Sequence, residues 1–202
     1  MTTAPQPALA APTMRERVVE AGVALTLEAG WARVTMGTVA DRVGVSRQTV
    51  YNEVGTKAGL AEAMILHELD RFLGVVTLAF DDHPAGPPEA LVEAIRAAAA
   101  GVLELAQGNP LLHAVVSATH GADTELLPLL TTHAESLLTV AKLVVTEQVA
   151  PYGVPLDPPH LDAAIDMVVR VVLSHVMQPS ATPEETARDL AWLARVVLGG
   201  RG

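Results

Sequence analysis

The sequence predicts an all-α protein of about nine helices, and three observations agree on that fold class. Apolar residues recur at the spacing of a helix face along most of the 202-residue chain. The alternation of apolar and polar residues that is typical of half-buried strands is scarce. Capping residues and glycines recur at the ends of the periodic segments, where helices begin and end. A hydrophobic content of 50% is enough to bury a sizeable core.

The first periodic segment follows a start that is rich in proline and alanine. Residues 1–13, MTTAPQPALAAPT, lack both the basic start and the long apolar run of a signal peptide, and we expect a disordered tail there. Thr13 and Glu16 then form a capping box, and Gly30 closes the helix that they open. The first helix is therefore predicted over residues 14–29.

Two short helices follow, separated by a glycine. Residues 38–43 have helical spacing, Gly44 interrupts it, and Ser46 is a good N-cap for the next helix. Two helices joined by a tight glycine-containing turn form a helix-turn-helix, whose second helix fits the major groove of DNA. Sequence-specific DNA binding is therefore the leading hypothesis for function.

The rest of the chain predicts longer helices, several of them opened by a proline. Asn109-Pro110, Pro158-Pro159 and Thr182-Pro183 each combine a cap or loop residue with a proline at a first helical position. The predicted ranges are 57–80, 89–107, 110–119, 125–149, 158–177 and 183–198. We expect a three-helix DNA-binding domain over residues 14–72 and a larger helical bundle over residues 73–202.

Composition narrows the functional classes. Cysteine is absent, which excludes disulfides and thiolate metal sites and fits a cytoplasmic protein. The longest charge-free stretch, residues 105–122, is interrupted by Gly108-Asn109-Pro110 and does not predict a membrane span. The net charge is −10, but residues 1–60 hold six basic against five acidic residues, for +1, and the remainder accounts for −11. Because phosphates repel an acidic body, only the N-terminal end is suited to face DNA.

The segment from Arg17 to about Leu66 resembles the TetR family of bacterial transcriptional regulators. The residues that carry the resemblance are Gly30, Thr35, Val39-Ala40, Gly44-Val45-Ser46, Tyr51 and Lys57. The chain departs from the family pattern at Val54, where phenylalanine is usual, and at Gly37, where a charged residue is common. The resemblance implies that the C-terminal bundle binds a small molecule and forms the dimer interface. It also implies repression that is relieved when a ligand tilts the fourth helix, but it names no ligand.

The second helix of the helix-turn-helix carries the side chains expected to read DNA. Arginine can grip guanine, and glutamine can grip adenine, each with two hydrogen bonds. Arg47 and Gln48 occupy the first turn of this helix, and Lys57 and Thr35 lie near helix N-termini that favour phosphate. The predicted DNA-binding residues are Thr35, Thr38, Ser46, Arg47, Gln48, Thr49, Tyr51, Asn52 and Lys57.

The bundle is rich in aliphatic side chains, whereas the whole chain is only 3% aromatic. An aliphatic wall favours a fatty acid or similar lipid-like effector over a flat cation, which prefers aromatic faces. Small residues at 97–101 are expected to leave room for a cavity between helices. The predicted ligand-binding residues are Leu69, Leu73, Val76, Ile95, Ala99, Leu103, Leu112, His113, Val116, His133, Leu137, Leu138, Ala141 and His175. The histidines are the candidates for contact with a polar head group, although such histidines are more often structural.

Residues 165–177 hold only two charges, Asp166 and Arg170, and the final helix carries an apolar stripe. Such apolar surfaces must be covered, which predicts a homodimer through the last two helices. A two-fold dimer also places two recognition helices on successive turns of a palindromic operator. The predicted dimer-interface residues are Val168, Val172, Val176, Leu190, Leu193, Ala194 and Val197.

Two other classes of function stay open at this stage. An all-helical enzyme lacks support, because no G-x-S-x-G, P-loop or H-E-x-x-H motif is present and no two histidines are four residues apart. We therefore predict no enzymatic activity, no cofactor and no metal. A helical lipid-binding carrier with a vestigial helix-turn-helix is favoured slightly by Val54 and by the acidic total. The operator, the effector and the direction of its effect on DNA binding are not predicted by the residues themselves.

Overall fold

The computed structural model describes residues 11–87, 89–112 and 127–199, with the backbone alone described for residues 127–136. These ranges are helical apart from short connections and contain no strand, which confirms the all-α prediction. None of the helices in these ranges is long and apolar enough to cross a lipid bilayer. Residues 1–10 of the predicted tail, and the predicted helix beyond residue 112, lie outside the described residues.

Eight α-helices have described bounds, and two short 3-10 helices connect them at Trp31–Arg33 and Ala150–Tyr152. Residues 110–112 are helical as well, where the proline-opened helix is predicted. The α-helices are α1 (Met14–Ala29), α2 (Met36–Val43), α3 (Arg47–Val54), α4 (Lys57–Asp81), α5 (Ala90–Gln107), α6 (Leu127–Val149), α7 (Pro158–Met177) and α8 (Pro183–Gly199).

Local capping explains where the first helices begin. Thr13 and Glu16 form the predicted capping box of α1. Helix α2 begins at Met36, two residues before the predicted start, because Thr35 is its N-cap and its hydroxyl accepts from the Thr38 amide at 3.1 Å. Gly44 ends α2 in the left-handed region, at a φ of 78° that strongly favours glycine.

The chain divides into two compact units, one ending at Met64 and the other starting at Ile65. The predicted boundary at 72/73 stays a prediction. In the N-terminal unit, Val18, Val39, Val50 and Leu60 are fully buried and join α1, α2, α3 and the first turns of α4 in one core.

Small residues in the C-terminal unit bring helices together. Helix α5 packs most extensively on α8, where Ala99 and Ala100 are buried with Ala187 and Leu190. A Cβ added to Gly101 would lie 2.7 Å from a methyl carbon of Val75 on α4. At Ala99, Ala100 and Gly101 the small residues therefore let neighbouring helices approach closely and do not leave an open space between them.

Two apolar clusters form most of the described core of this unit. The larger joins α4 to α5 through Val76, Phe80, Leu91, Ala94, Ala98 and Val102. The smaller joins α6 to α7 through Ala141, Ile165 and Val169. Phe80 also meets Tyr152 edge-on, with ring centroids 5.9 Å apart.

Candidate nucleic-acid interface

Helix α3 has one apolar face and one polar face. Val50 and Val54 are buried in the core of the N-terminal unit, whereas Arg47, Gln48 and Asn52 are exposed. The Val54 side chain therefore fills a core position, and its smaller size relative to phenylalanine does not alter the exposed face. The outward face of α3 presents the functional groups that read base edges in a major groove.

Ser46 holds the start of α3 in place. Its hydroxyl accepts a hydrogen bond from the Thr49 amide at 3.1 Å and lies 2.9 Å from the Thr49 hydroxyl. Gln48 donates to Asn52 one turn further on, at 2.9 Å. Tyr51 lies on the surface and is 46% exposed. These contacts order the polar side chains before any DNA is bound.

The start of α2 carries a second ordered pair. The Thr35 amide donates to the Thr38 hydroxyl at 3.0 Å, while the Thr35 hydroxyl accepts from the Thr38 amide. Both side chains are exposed. Their hydroxyls and the N-terminal end of α2 form a neutral surface of the kind that contacts phosphate.

Lys57 is positioned by an aromatic ring. Its ammonium lies 4.8 Å from the centroid of Trp31, which is only 3% exposed. A cation above an aromatic face gains electrostatic stabilisation that also limits where the side chain can go. Lys57 therefore carries a positioned positive charge at the N-terminus of α4.

Two arginines that the sequence reasoning missed hold the helix-turn-helix together. Arg17 donates to the carbonyl of Val43 at the end of α2, at 3.0 Å. Arg15 donates to the carbonyl of Glu53 near the end of α3. Both arginines belong to the first turn of α1, where the helix dipole disfavours a cation. That unfavourable placement is the sequence signal for a partner at the C-terminal end of another helix.

A third arginine is taken up by an ion pair. Arg42 and Glu28 meet through two hydrogen bonds, the longer at 2.9 Å. The side-chain hydrogen bond from Arg42 lowers the pKa of the Glu28 carboxyl below its ordinary value. The side chain of Arg47, by contrast, has no hydrogen bond or ion pair to any residue that the structure describes. The charge of Arg47 is therefore available to a ligand.

Comparison with known proteins decides the family. The sequence-family model described as the bacterial tetracyclin repressor, C-terminal domain, matches residues 91–195. A second family model, described as bacterial regulatory proteins of the tetR family, matches residues 18–64. The chain belongs to the TetR family. The resemblance found in the sequence is thereby confirmed, and this TetR-family protein is a DNA-binding transcriptional regulator.

Individual relatives agree with this assignment. The TetR-family chain is 29% identical over 180 residues to the HTH-type transcriptional regulator AlkX of Mycobacterium tuberculosis, covering 89% of this chain and 82% of that protein. The crystal structure of the TetR family repressor AlkX from Dietzia sp. has a TM-score of 0.72 and 27% identity, covering 93% of this chain and 96% of that chain. The regulator FadR from Bacillus subtilis, solved with stearoyl-CoA, has a TM-score of 0.54 at 14% identity over 92% of this chain and 98% of that chain, and shows the fold alone.

The predicted ligand-binding residues of the TetR-family chain are distributed among several sites in the C-terminal unit. Val76 and Ile95 belong to the larger core cluster, and Ala99 is buried between α5 and α8. Leu73, Leu138 and Ala141 belong to the smaller cluster, while Leu69 and Leu137 are half-buried. His113 and Val116, and the side chain of His133, lie outside the described residues.

Leu103, Leu112 and His175 line one pocket of about 180 Å³, together with residues such as Met177 and Pro179. Nδ1 of His175 lies 2.9 Å from the Val171 carbonyl, and Nε2 lies 3.0 Å from the Ser180 hydroxyl. Since a carbonyl only accepts, Nδ1 donates to it, and in the neutral imidazole Nε2 then accepts from the Ser180 hydroxyl. Both ring nitrogens are therefore engaged within the protein.

The last two helices divide the predicted dimer residues into an inward and an outward set. Leu190 is 3% exposed, and Val172 and Val176 pack against the core. Leu193 and Val197 are about half exposed, and Val168 and Ala194 are half-buried. Exposed apolar side chains that the sequence reasoning did not select extend this outward surface, namely Met167, Val171, Trp192 and Val196.

Proposed function

We propose that this regulator is a repressor that binds a palindromic operator as a homodimer and leaves it when a lipid-like effector binds its C-terminal unit. The DNA-binding part of this proposal rests on the exposed polar face of α3. This helix begins with Arg47, whose side chain has no partner among the described residues. No catalytic step and no cofactor form part of this function. Action on an operator requires a cytoplasmic location.

Within this proposal the exposed residues divide by chemistry. Arg47 and Gln48 read base edges, since their side chains offer two-point contacts to guanine and adenine. Thr35, Thr38 and Lys57 contact phosphates, because they lie at helix N-termini. The surface is completed by capping or backbone-contacting residues, namely Ser46, Thr49, Tyr51 and Asn52.

Dimerisation is proposed through the outward surface of α7 and α8. A row of half-exposed apolar side chains is costly to leave in water and is typical of a surface that pairs with its own copy. The residues that form it are Met167, Val168, Val171, Trp192, Leu193, Ala194, Val196 and Val197. Pairing matters for function because residues 1–60 carry a net charge of only +1. Two recognition helices about 34–36 Å apart combine two weak contacts.

The effector is proposed to be an apolar molecule of the alkane or fatty-acid class. The described core of the C-terminal unit is almost entirely aliphatic, with Phe80 and Tyr152 as the aromatic pair near one end. The Dietzia relative is described as implicated in the biodegradation of n-alkanes. For the effector to act, it must prefer the conformation in which the two recognition helices no longer match the operator.

A gel shift with duplex from the chain's own upstream region tests the DNA-binding half of the proposal. We expect binding at low salt that weakens steeply as salt rises, since phosphate contacts release counterions. The same duplex with the operator scrambled is the control. Equal binding to both duplexes would contradict sequence-specific regulation, and a folded protein that binds neither would favour the carrier alternative.

Mass spectrometry of gently purified, then denatured, protein tests the effector. We expect a co-purified long-chain molecule, and we expect long-chain fatty acids or alkanes to displace the operator. Displacement by planar cationic dyes, with no response to any aliphatic compound, would reject the proposed class.

A further inference from the structure

Gly37, the second residue of α2, lies against the side chain of Arg47. A Cβ added at Gly37 would lie 3.0 Å from both Nε and Nη2 of Arg47 and 3.1 Å from its Cζ. Those distances are shorter than ordinary van der Waals contact. The guanidinium of Arg47 therefore lies where the side chain of residue 37 would otherwise be.

The backbone does not require glycine at this position. Among the described residues, the glycines with positive φ are Gly30, Gly44, Gly55 and Gly153, and Gly37 is not one of them. Within a helix, glycine is less stable than alanine because it loses more conformational freedom on folding. The structural consequence of glycine at position 37 is thus the space that the Arg47 guanidinium occupies.

Charge attraction does not hold Arg47 in this place. The N-terminal turn of a helix carries partial positive charge, so the start of α2 offers a guanidinium no favourable field. The Arg47 side chain also has no hydrogen bond or ion pair to any residue within the described ranges. The contact with Gly37 is one of shape, which orients the guanidinium while leaving all its donors free.

We propose that Gly37 is a specificity-determining residue, acting through Arg47. Without a side chain at position 37, the Arg47 guanidinium can lie between α2 and α3 and reach a base edge from there. A side chain at 37 would displace it and change which base it can grip. This inference rests on the proposed function, since it concerns how α3 reads an operator.

The test measures base preference in the full-length protein. A duplex library with a randomised centre is selected by the parent protein, and point variants of the selected sequence are then titrated. Arg47→Ala identifies the base pair that Arg47 reads, as a loss of discrimination of about 5- to 150-fold, the range for a two-point arginine contact. Gly37→Ala is expected to lower discrimination at that same base pair and nowhere else. In the double variant, the change at Gly37 should add nothing to the loss caused by Arg47→Ala.

Gly74→Ala is the matched control. Gly74 lies within α4, and a Cβ added there would meet nothing within 4 Å. The Gly74→Ala protein should therefore keep the base preference of the parent. Gly37→Ala is expected to fold, because the atoms that the new Cβ meets belong to the end of a flexible side chain, and a thermal melt confirms that.

Two results would overturn the inference while leaving the proposed function intact. One is a folded Gly37→Ala protein with unchanged discrimination at the base pair that Arg47 reads. The other is an equal loss of affinity for all duplexes, which would assign position 37 to a phosphate contact. A parent protein that selects no sequence would instead refute the proposed function itself, and the inference with it.

Discussion

Arg17 and Arg47 are expected to respond in opposite ways to the same substitution. Each change to alanine removes one positive charge from a region whose net charge is only +1 over residues 1–60. Arg17 donates to the Val43 carbonyl at 3.0 Å and so ties α1 to the end of α2. Arg47 has no such partner among the described residues. Because both substitutions remove the same charge, comparing them distinguishes an arginine that stabilises the fold from one that contacts bases.

The magnitudes follow from these contacts. Loss of a solvent-exposed hydrogen bond such as that of Arg17 costs about 1 kcal/mol of folding free energy, which lowers the melting temperature of a chain of this size by about 2–4 °C. Arg47→Ala should change stability by less than about 0.5 kcal/mol, as is usual for an exposed side chain without partners. Its cost falls on recognition instead, at about 1–3 kcal/mol of discrimination at one base pair.

Two measurements distinguish the variants. Thermal melts followed by circular dichroism report the stability of each, and fluorescence anisotropy with the operator and its point variants reports discrimination. We expect Arg17→Ala to melt earlier and to rank the duplexes as the parent does. Arg47→Ala should have the melting temperature of the parent and rank the duplexes differently. If both variants lost affinity for every duplex by the same factor, the two arginines would act only as bulk charge and the structural distinction would be refuted.

Three further predictions concern other parts of the molecule. Lys57→Ala, which removes the ammonium above Trp31, should weaken binding about equally on all duplexes. It should also make the slope of log affinity against log salt concentration less steep by about 0.9, as measured by anisotropy at several salt concentrations. Asn109→Ala should destabilise the protein by about 2–3 kcal/mol in urea denaturation. Asn109 is only 4% exposed, and its side-chain amide caps the helix that starts at residue 110 and donates to Glu68. Leu193→Asp should elute as a monomer from size exclusion, keep its helix content by circular dichroism and lose operator binding, and a dimer of parental affinity would reject the proposed interface.

Local signals in the sequence were sufficient for most of the N-terminal unit. The capping box of α1, the glycine that ends α2 and the Ser46 cap of α3 all involve residues within four positions of each other. Because such signals act through short-range backbone geometry, they can be recognised in the sequence without knowledge of the fold. The start of α2 was misplaced because Thr35 caps that helix with a threonine partner, whereas the usual partner of a capping box is glutamate or glutamine.

The roles of the basic residues could not be read in the same way. Arg15 and Arg17 reach carbonyls that are 38 and 26 residues further along the chain. A long side chain can meet any group that folding brings near it, and the sequence does not record which one that is. The charge count over residues 1–60 does not distinguish Arg15 and Arg17, which bind backbone carbonyls, from Arg47, whose side chain has no partner among the described residues.

Amino-acid pattern alone predicted helices along nearly all of the chain, a polar face on α3 after a glycine turn, and an apolar face on each of the last two helices. Tertiary structure decided which apolar side chains face inward, with Leu190 buried against α5 and Leu193 left at the surface. It also decided that Arg47 lies against Gly37. Periodicity specifies the faces of a helix, but the neighbour that covers each face is set by packing between residues distant in the chain.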